Sequence, residues 1–282
     1  MKYILITGAS TGIGYDAARY LIERGYHVFG SVRKQADAER VQAALGERFT
    51  PLLFDVTDEA GVKTAVSQIQ QTVGSSGLYG LVNNAGIAVP GPLMHLTLDE
   101  IRYQLEVNVI GLLSVTKACL PLLGAGKDSP CPPGRIINIS STNGRNAFPF
   151  VGPYSASKHA LEAITDALRG EMSIYGIKVI GINPGPIQTP IWDKADALDP
   201  TPFLGTDYEK AVLYTRDYIV ARGRKGLPVE AVSTVIGQAL ESKRPKTRYP
   251  VVRSRLFDWL LPQLLPDRVV DHIVIRALHV KL

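Results

Sequence analysis

Thr7-Gly8-Ala9-Ser10-Thr11-Gly12-Ile13-Gly14 follows the apolar run Tyr3-Ile4-Leu5-Ile6 and leads into a helix-forming stretch, so it reads as a turn from strand to helix. Its glycines let the backbone turn tightly and approach a pyrophosphate, whose charge is stabilised by the N-terminus of the following helix. The spacing is G-x-x-x-G-x-G, not the G-x-G-x-x-G of the general dinucleotide fingerprint. Taken alone, the motif also fits a glycine-rich turn that binds nothing.

Outward from this turn, short apolar runs alternate with amphipathic stretches of helical length. Strands are expected at 3–6, 27–31, 50–54, 80–82, 135–139, 178–182 and 249–252, and helices at 15–24, 59–73, 98–122 and 154–175. This βαβ rhythm predicts an α/β fold. Residues 1–282 are expected to form a single doubly wound Rossmann domain of about seven parallel strands, with helices on both faces. Residues 124–134 read as a surface loop, and 188–225, Pro-rich and then helical, as a lid over a substrate pocket. An amphipathic C-terminal extension, 256–282, carries Val269, Val270, Ile273, Val274, Ala277 and Leu278 on one helical face. That face suits packing on its own chain, a dimer contact or a membrane surface.

With 45% hydrophobic and 20% charged residues, the chain has the composition of a folded globular protein. Its net charge of +5 is scattered except in Lys243-Arg244-Pro245-Lys246-Thr247-Arg248, which reads as a solvated loop, so no nucleic-acid partner is expected. Cys119 and Cys131 give neither a disulfide framework nor metal spacing, and the histidines at 27, 95, 159, 272 and 279 add no metal site. The first apolar run is too short for a signal peptide, and none approaches the ~18 apolar residues of a membrane span. A cytoplasmic protein is the expectation, with peripheral membrane contact through the C-terminal helix left open.

The ends of the second and third strands address which ligand the turn would take. Asp55, in Phe54-Asp55-Val56, can accept from an adenine amino group or serve as a helix N-cap. Where NAD-preferring sheets place an acid for the ribose 2′-hydroxyl, this chain has Val32 and then Arg33. Val32 accepts no hydrogen bond, whereas the planar fork of Arg33 suits a 2′-phosphate, which favours NADP(H).

Tyr154 and Lys158, four residues apart, share one face of a helix. A phenol with a pKa of ~10 needs ~4 kcal/mol of differential stabilisation to titrate near neutrality, and an adjacent ammonium helps supply it. Tyr154 can then act as an acid or base. Ser141, at the end of the strand at 135–139, can reach the same sheet edge and hold a substrate oxygen.

The set Thr7-Gly8-x-x-x-Gly12-x-Gly14, Asn83-Asn84-Ala85-Gly86, Asn108, Ser141, Tyr154-x-x-x-Lys158 and Pro184-Gly185 resembles the short-chain dehydrogenase/reductase superfamily over residues 1–189. Gly77-Leu78-Tyr79-Gly80-Leu81-Val82, Leu161-Glu162-Ala163 and Arg248-Tyr249-Pro250 are similar, more loosely, to its retinol and hydroxysteroid dehydrogenase branch. The resemblance implies an alcohol/carbonyl oxidoreductase, a homodimer or homotetramer, with Asn108, Ser141, Tyr154 and Lys158 catalytic. It implies that Asn108 anchors a water linking Lys158 to solvent, and that Lys158 also bonds the nicotinamide ribose. Thr7, Gly8, Ser10, Gly12, Ile13, Gly14, Arg33, Asp55, Val56, Asn83, Ala85 and Gly86 would line the cofactor, and Pro184, Gly185, Ile187 and Thr189 would embrace the nicotinamide. Phe148, Phe150, Val151, Pro186, Ile187 and Ile191 surround the expected substrate oxygen with apolar side chains, which suits a lipophilic alcohol, ketone or aldehyde. An NADPH-binding regulator without chemistry, an epimerase or dehydratase on the same fold, and a membrane-surface or oligomeric scaffold are the competing readings.

Overall fold

The computed structural model describes residues 1–197 and 199–278. Leu198, within the expected lid, and residues 279–282, which end the expected C-terminal extension and include His279, lie outside the described residues.

The chain runs β1 (Tyr3–Ile6), α1 (Gly12–Glu23), β2 (His27–Val32), α2 (Gln35–Leu45), β3 (Phe49–Leu53), α3 (Glu59–Val73) and β4 (Gly80–Asn83). Next come α4 (Leu98–Leu105), a π-helical turn (Glu106–Gly111), α5 (Leu112–Cys119), β5 (Arg135–Ile139), α6 (Gly152–Glu171) and β6 (Lys178–Pro184). The last part holds α7 (Ile191–Asp196), α8 (Glu209–Arg224), α9 (Glu230–Glu241), β7 (Arg248–Val251), α10 (Leu261–Leu264) and α11 (Asp267–Ala277). All seven strands are parallel, in the order β3-β2-β1-β4-β5-β6-β7. This is the expected doubly wound sheet. It reverses direction of growth between β1 and β4, where such sheets open a ligand crevice at their carboxyl edge.

The central strands are buried on both sides because both faces of the sheet are covered. Ile4 and Ile6 of β1 join Ala17, Ala18 and Leu21 of α1, Val41 of α2, and Val232, Ile236 and Leu240 of α9 in one layer. Leu5, between them, joins Phe29, Val62 and Ile69 of α3, and Val115 and Cys119 of α5 in the other. Helices α2 and α9 are additions to the sequence expectation. The buried set of α2 is only Ala38 and Val41, too sparse for a periodic signal, and α9 carries small residues among its apolar ones.

A row of amides crosses the middle of the sheet. Asn83 of β4 and Asn138 of β5 are in register, and Asn83 Nδ2 donates to Asn138 Oδ1 and Thr116 Oγ1 at 2.9 Å. Asn138 Nδ2 then donates to Thr165 Oγ1 of α6 at 2.9 Å. Buried polar groups are tolerated when paired in this way, and the row fixes α5 and α6 in register with the strands.

The helix expected at 98–122 is instead broken by the π turn. Its N-terminus is a capping box, Thr97 with Glu100. The N-cap of α3 is Asp58, which accepts from Ala60 N at 3.1 Å, so the capping alternative for Asp55 is set aside. Both cysteines are free and buried. In the C-terminal segment, Trp259 and Leu278 are buried on the chain, while Leu256, Phe257, Leu260, Leu264, Val269 and Ile273 are exposed. Packing on its own chain therefore uses only part of the apolar face. Among the described residues, no helix is long and apolar enough to cross a membrane.

Candidate active site

The glycine turn closes over the end of β1 by contacts that exclude side chains. A Cβ on Gly14 would lie 2.2 Å from Gly8 O and 2.5 Å from Asn84 Nδ2. Gly8 and Gly12 have φ of 68° and 59°, in the left-handed region that costs other residues energy. Asn84 holds the turn from β4, donating through Nδ2 to Thr7 O at 2.9 Å and Gly8 O at 3.0 Å. Thr7 Oγ1 accepts from Asn84 N and Ala85 N, and Ser31 Oγ accepts from Gly8 N. The backbone is thus free of side chains where a pyrophosphate would sit at the N-terminus of α1, as that ligand requires.

Around this cradle, the residues expected from the sequence divide into two groups. Arg33 stands exposed at the end of β2, 3.8 Å from Asp55 Oδ2. Asp55 Oδ1 accepts from Thr57 N and Oγ1, closing the turn after β3. Ser10 O accepts from Arg40 of α2, and Thr189 lies 3.4 Å from where a Gly12 Cβ would be, so the start of the expected lid faces the glycine turn. Asn83 and Val56 have their side chains inside the core, Asn83 in the amide row and Val56 against Gly111. Ile13 is half-buried against the α1 layer, and Pro184 and Ile187 are buried.

At the carboxyl edge of β4, β5 and β6, Tyr154, Ser141, Lys158 and Asn108 converge. Tyr154 and Lys158 begin α6, with Lys158 Nζ 5.7 Å from the centre of the Tyr154 ring and donating to Ile139 O at 2.9 Å. Burial holds the Tyr154 phenol above its ordinary pKa, and a hydrogen bond with Ser141 works in the opposite direction. In the protein alone burial therefore favours the protonated phenol, opposite to the lowering expected from the adjacent ammonium. Burial pushes the Lys158 ammonium down to about 8, with Glu162 opposing the fall.

Asn108 lies in the π turn, where such insertions commonly mark functional positions. Its Oδ1 accepts from Ile87 N at 2.9 Å, and its Nδ2 donates to Ile87 O and Ser157 Oγ at 3.0 Å. Ser157 in turn donates to Tyr154 O at 2.7 Å. The missing side chain of Gly86 leaves both Asn108 Oδ1 and Lys158 Nζ within 4 Å of the place its Cβ would occupy.

The residues expected around the substrate oxygen differ in exposure. Phe148, Phe150 and Val151 are half-buried, and Ile191 is exposed. Phe150 has φ 65°, a strained conformation for a bulky residue, and its carbonyl accepts from Gly91 N at 2.7 Å. Its ring meets Tyr208 edge-on at 6.1 Å, and Tyr208 and Phe203 both contact His95. The segment 188–226 leaves and rejoins the body at one point, where Leu227 N donates to Pro186 O and Gln188 N to Leu227 O.

A sequence profile described as short chain dehydrogenase matches residues 2–199. The chain belongs to that family. This short chain dehydrogenase is 43% identical over 278 residues to an NADPH-dependent 3-dehydrocapnine reductase of Ornithobacterium rhinotracheale, covering 99% of this chain and 98% of that one. It is 32% identical over 284 residues to retinol dehydrogenase 16 of Mus musculus, covering 97% and 87%. A crystal structure of a short-chain dehydrogenase from Streptomyces avermitilis superposes with a TM-score of 0.78 at 25% identity, covering 100% of this chain and 98% of that one. The protein is accordingly a nicotinamide-dependent oxidoreductase.

Ser31, the Asn84 side chain, Ser157, Tyr208, Phe203 and His95 are contributors that the sequence reading passed over. Ser31 and Ser157 are adjacent to quoted motifs and had a local signal. The aromatic trio joins His95 to Phe203 and Tyr208 of the segment before α8, a pairing that only the fold makes. Gly14→Ala should raise the Kd for the dinucleotide about tenfold or more, since the turn must open. Titration of nicotinamide fluorescence checks this, and an unchanged Kd would show that the turn does not carry the phosphates.

Proposed function

We propose that this short chain dehydrogenase is an NADPH-dependent reductase of a lipophilic ketone or aldehyde, with Tyr154 as proton donor, Ser141 as holder of the substrate oxygen, and Lys158 and Asn108 completing the site. The observation that carries the reading is the convergence of these four residues at the sheet edge beside a side-chain-free glycine turn. When bound, the nicotinamide supplies the hydride. Tyr154, kept protonated by burial, gives its proton to the substrate oxygen while Ser141 hydrogen-bonds it. Lys158 as an ammonium favours the phenolate left behind. Asn108 fixes Ser157, and through it the first turn of α6, so that Tyr154 meets the oxygen in one geometry. In this reading 188–225 is the lid, and Tyr208 against Phe150 is where it meets the substrate loop.

The absence of an acid at Val32 and the exposed guanidinium of Arg33 favour NADP(H), and the NADPH dependence of the Ornithobacterium reductase supports the same choice. The apolar character of Phe148, Phe150, Val151 and Ile191, together with the retinol in the name of the Mus musculus relative, favours a lipophilic carbonyl over a small polar one. A screen should show higher kcat/KM for long-chain ketones, retinoids or steroids with NADPH than for small hydroxy or keto acids; the reverse order would sink the lipophilic assignment.

Tyr154→Phe should lower kcat about 10²- to 10⁴-fold while leaving NADPH binding intact. In the parent enzyme the reduction rate should fall as pH rises through about 8, because Lys158 then loses the proton that supports Tyr154. A flat profile from pH 7 to 9.5, read by stopped flow, contradicts that role for Lys158. Arg33→Ala should raise the KM for NADPH about 10- to 100-fold and leave that for NADH nearly unchanged. Equal effects on the two would remove the 2′-phosphate contact.

A further inference from the structure

One turn below Lys158 on the same face of α6, and two turns below Tyr154, lies Glu162, a carboxylate with 5% side-chain exposure. A buried charge must be paired and hydrogen-bonded, and the partners of Glu162 come from three other segments. Its Oε1 accepts from Asn183 Nδ2 of β6 at 2.7 Å. The same Nδ2 donates to Ser141 O at 3.2 Å. Its Oε2 accepts from Arg248 Nε of β7 at 2.7 Å and lies 3.4 Å from Arg145, four residues beyond Ser141. Arg248 also meets Asp166, one further turn along α6, at 2.6 Å. Arg169 also meets Asp166 at 2.6 Å, so two carboxylates face three guanidiniums. Arg248 reaches them across Gly181, with which it is paired in the sheet.

These contacts join the parts of the site that must be in mutual register. Helix α6 carries Tyr154 and Lys158, the loop after β5 carries Ser141, and Asn183 immediately precedes Pro184 and Gly185. Gly144 seals the junction: a Cβ there would lie 2.9 Å from both Glu162 Cγ and Ser140 Oγ. We propose that Glu162 is a positioning residue, whose carboxylate, through Asn183, Arg145 and Arg248, fixes the Ser141 loop against the helix bearing Tyr154 and Lys158. This rests on the assignment of Ser141, Tyr154 and Lys158 above.

The ionisable groups facing Glu162 are Lys158 and Asp166 from its own helix, Arg145 from the Ser141 loop and Arg248 from β7; Asn183 of β6 is neutral. Removing the charge of Glu162 leaves Arg145 without its partner and takes away the carboxylate that supports the Lys158 ammonium, which moves the titration of Lys158 to lower pH.

The test is Glu162→Gln, which keeps the shape and an acceptor for Asn183 but not the charge. The expected result is a fall in kcat of about 10- to 100-fold from misplacement of the reacting groups. NADPH affinity by fluorescence titration should stay within about twofold of the parent's. The alkaline fall in rate should move to lower pH, and Glu162→Asp should restore its position at least in part. Tyr154→Phe is assayed alongside. If that variant remains fully active, the assignment of the site fails; if it is inactive while Glu162→Gln keeps the parental kcat and pH profile, the positioning role fails. Should Glu162→Gln not fold, Arg145→Gln removes the ion pair on the loop side while Arg248 still neutralises Glu162. A several-fold lower kcat with unchanged NADPH affinity then supports the proposal, and parental kcat overturns it.

Discussion

The approach of Gly14 to the carbonyl of Gly8 leaves no space for even a methyl group, and the position of α1 relative to β1 follows from that contact. Because the turn is this tight, the first amides of α1 lie directly beyond the end of β1. The neighbouring strand β4 supplies the clamp: Asn84 spends its amide hydrogens on the carbonyls of Thr7 and Gly8. The crevice between β1 and β4 is therefore preorganised by close packing and by main-chain acceptors that already have partners. Little side-chain entropy remains to be lost there when a ligand is ordered.

From this crevice to the edge of the sheet, polar side chains carry the organisation across an otherwise apolar core. Asn83, Asn138 and Thr165 link β4, β5 and α6, and Asn183, Glu162 and Arg248 link β6, α6 and β7. Such groups are costly to bury and specific in their geometry, so they define a single register where apolar contacts alone would tolerate several. Helix α6 takes part in both sets, and two of the residues that converge at the sheet edge, Tyr154 and Lys158, lie near its start.

Much of this was legible in the sequence because the relevant signals are local. β1, β5 and α3 have the bounds expected from their apolar runs, and Tyr154 and Lys158 share a face because four residues nearly complete a turn. Arg33 and Val32 could be read because the end of β2 is a fixed place in any such sheet. Less legible were interactions made at a distance. Glu162 belongs to a quoted tripeptide, yet nothing in the sequence shows that it faces Arg248, which is 86 residues away. Asn83 and Asn84 look equivalent in Asn83-Asn84-Ala85-Gly86, but Asn83 ends β4 with its side chain in the core, while Asn84, just beyond the strand, reaches the glycine turn. The breadth of the 98–122 expectation has a similar origin, since apolar spacing continues through the π turn that divides the helix.

That π turn has a geometric consequence for how the chain tolerates change in length. A π turn accommodates one more residue than the α-helical path would, and each α-helical residue advances the direction of the side chain by about 100°. Loss of one residue between 106 and 111 could relax the segment to a regular helix with little local strain. The helices on either side would then keep nearly their present phase, with Val115 and Cys119 still in the core, but the wide turn that presents Asn108 to Ile87 and Ser157 would be lost. The extra residue between Leu105 and Leu112 is thus carried by the turn alone, at the place where Asn108 makes its contacts, and not by the helices on either side.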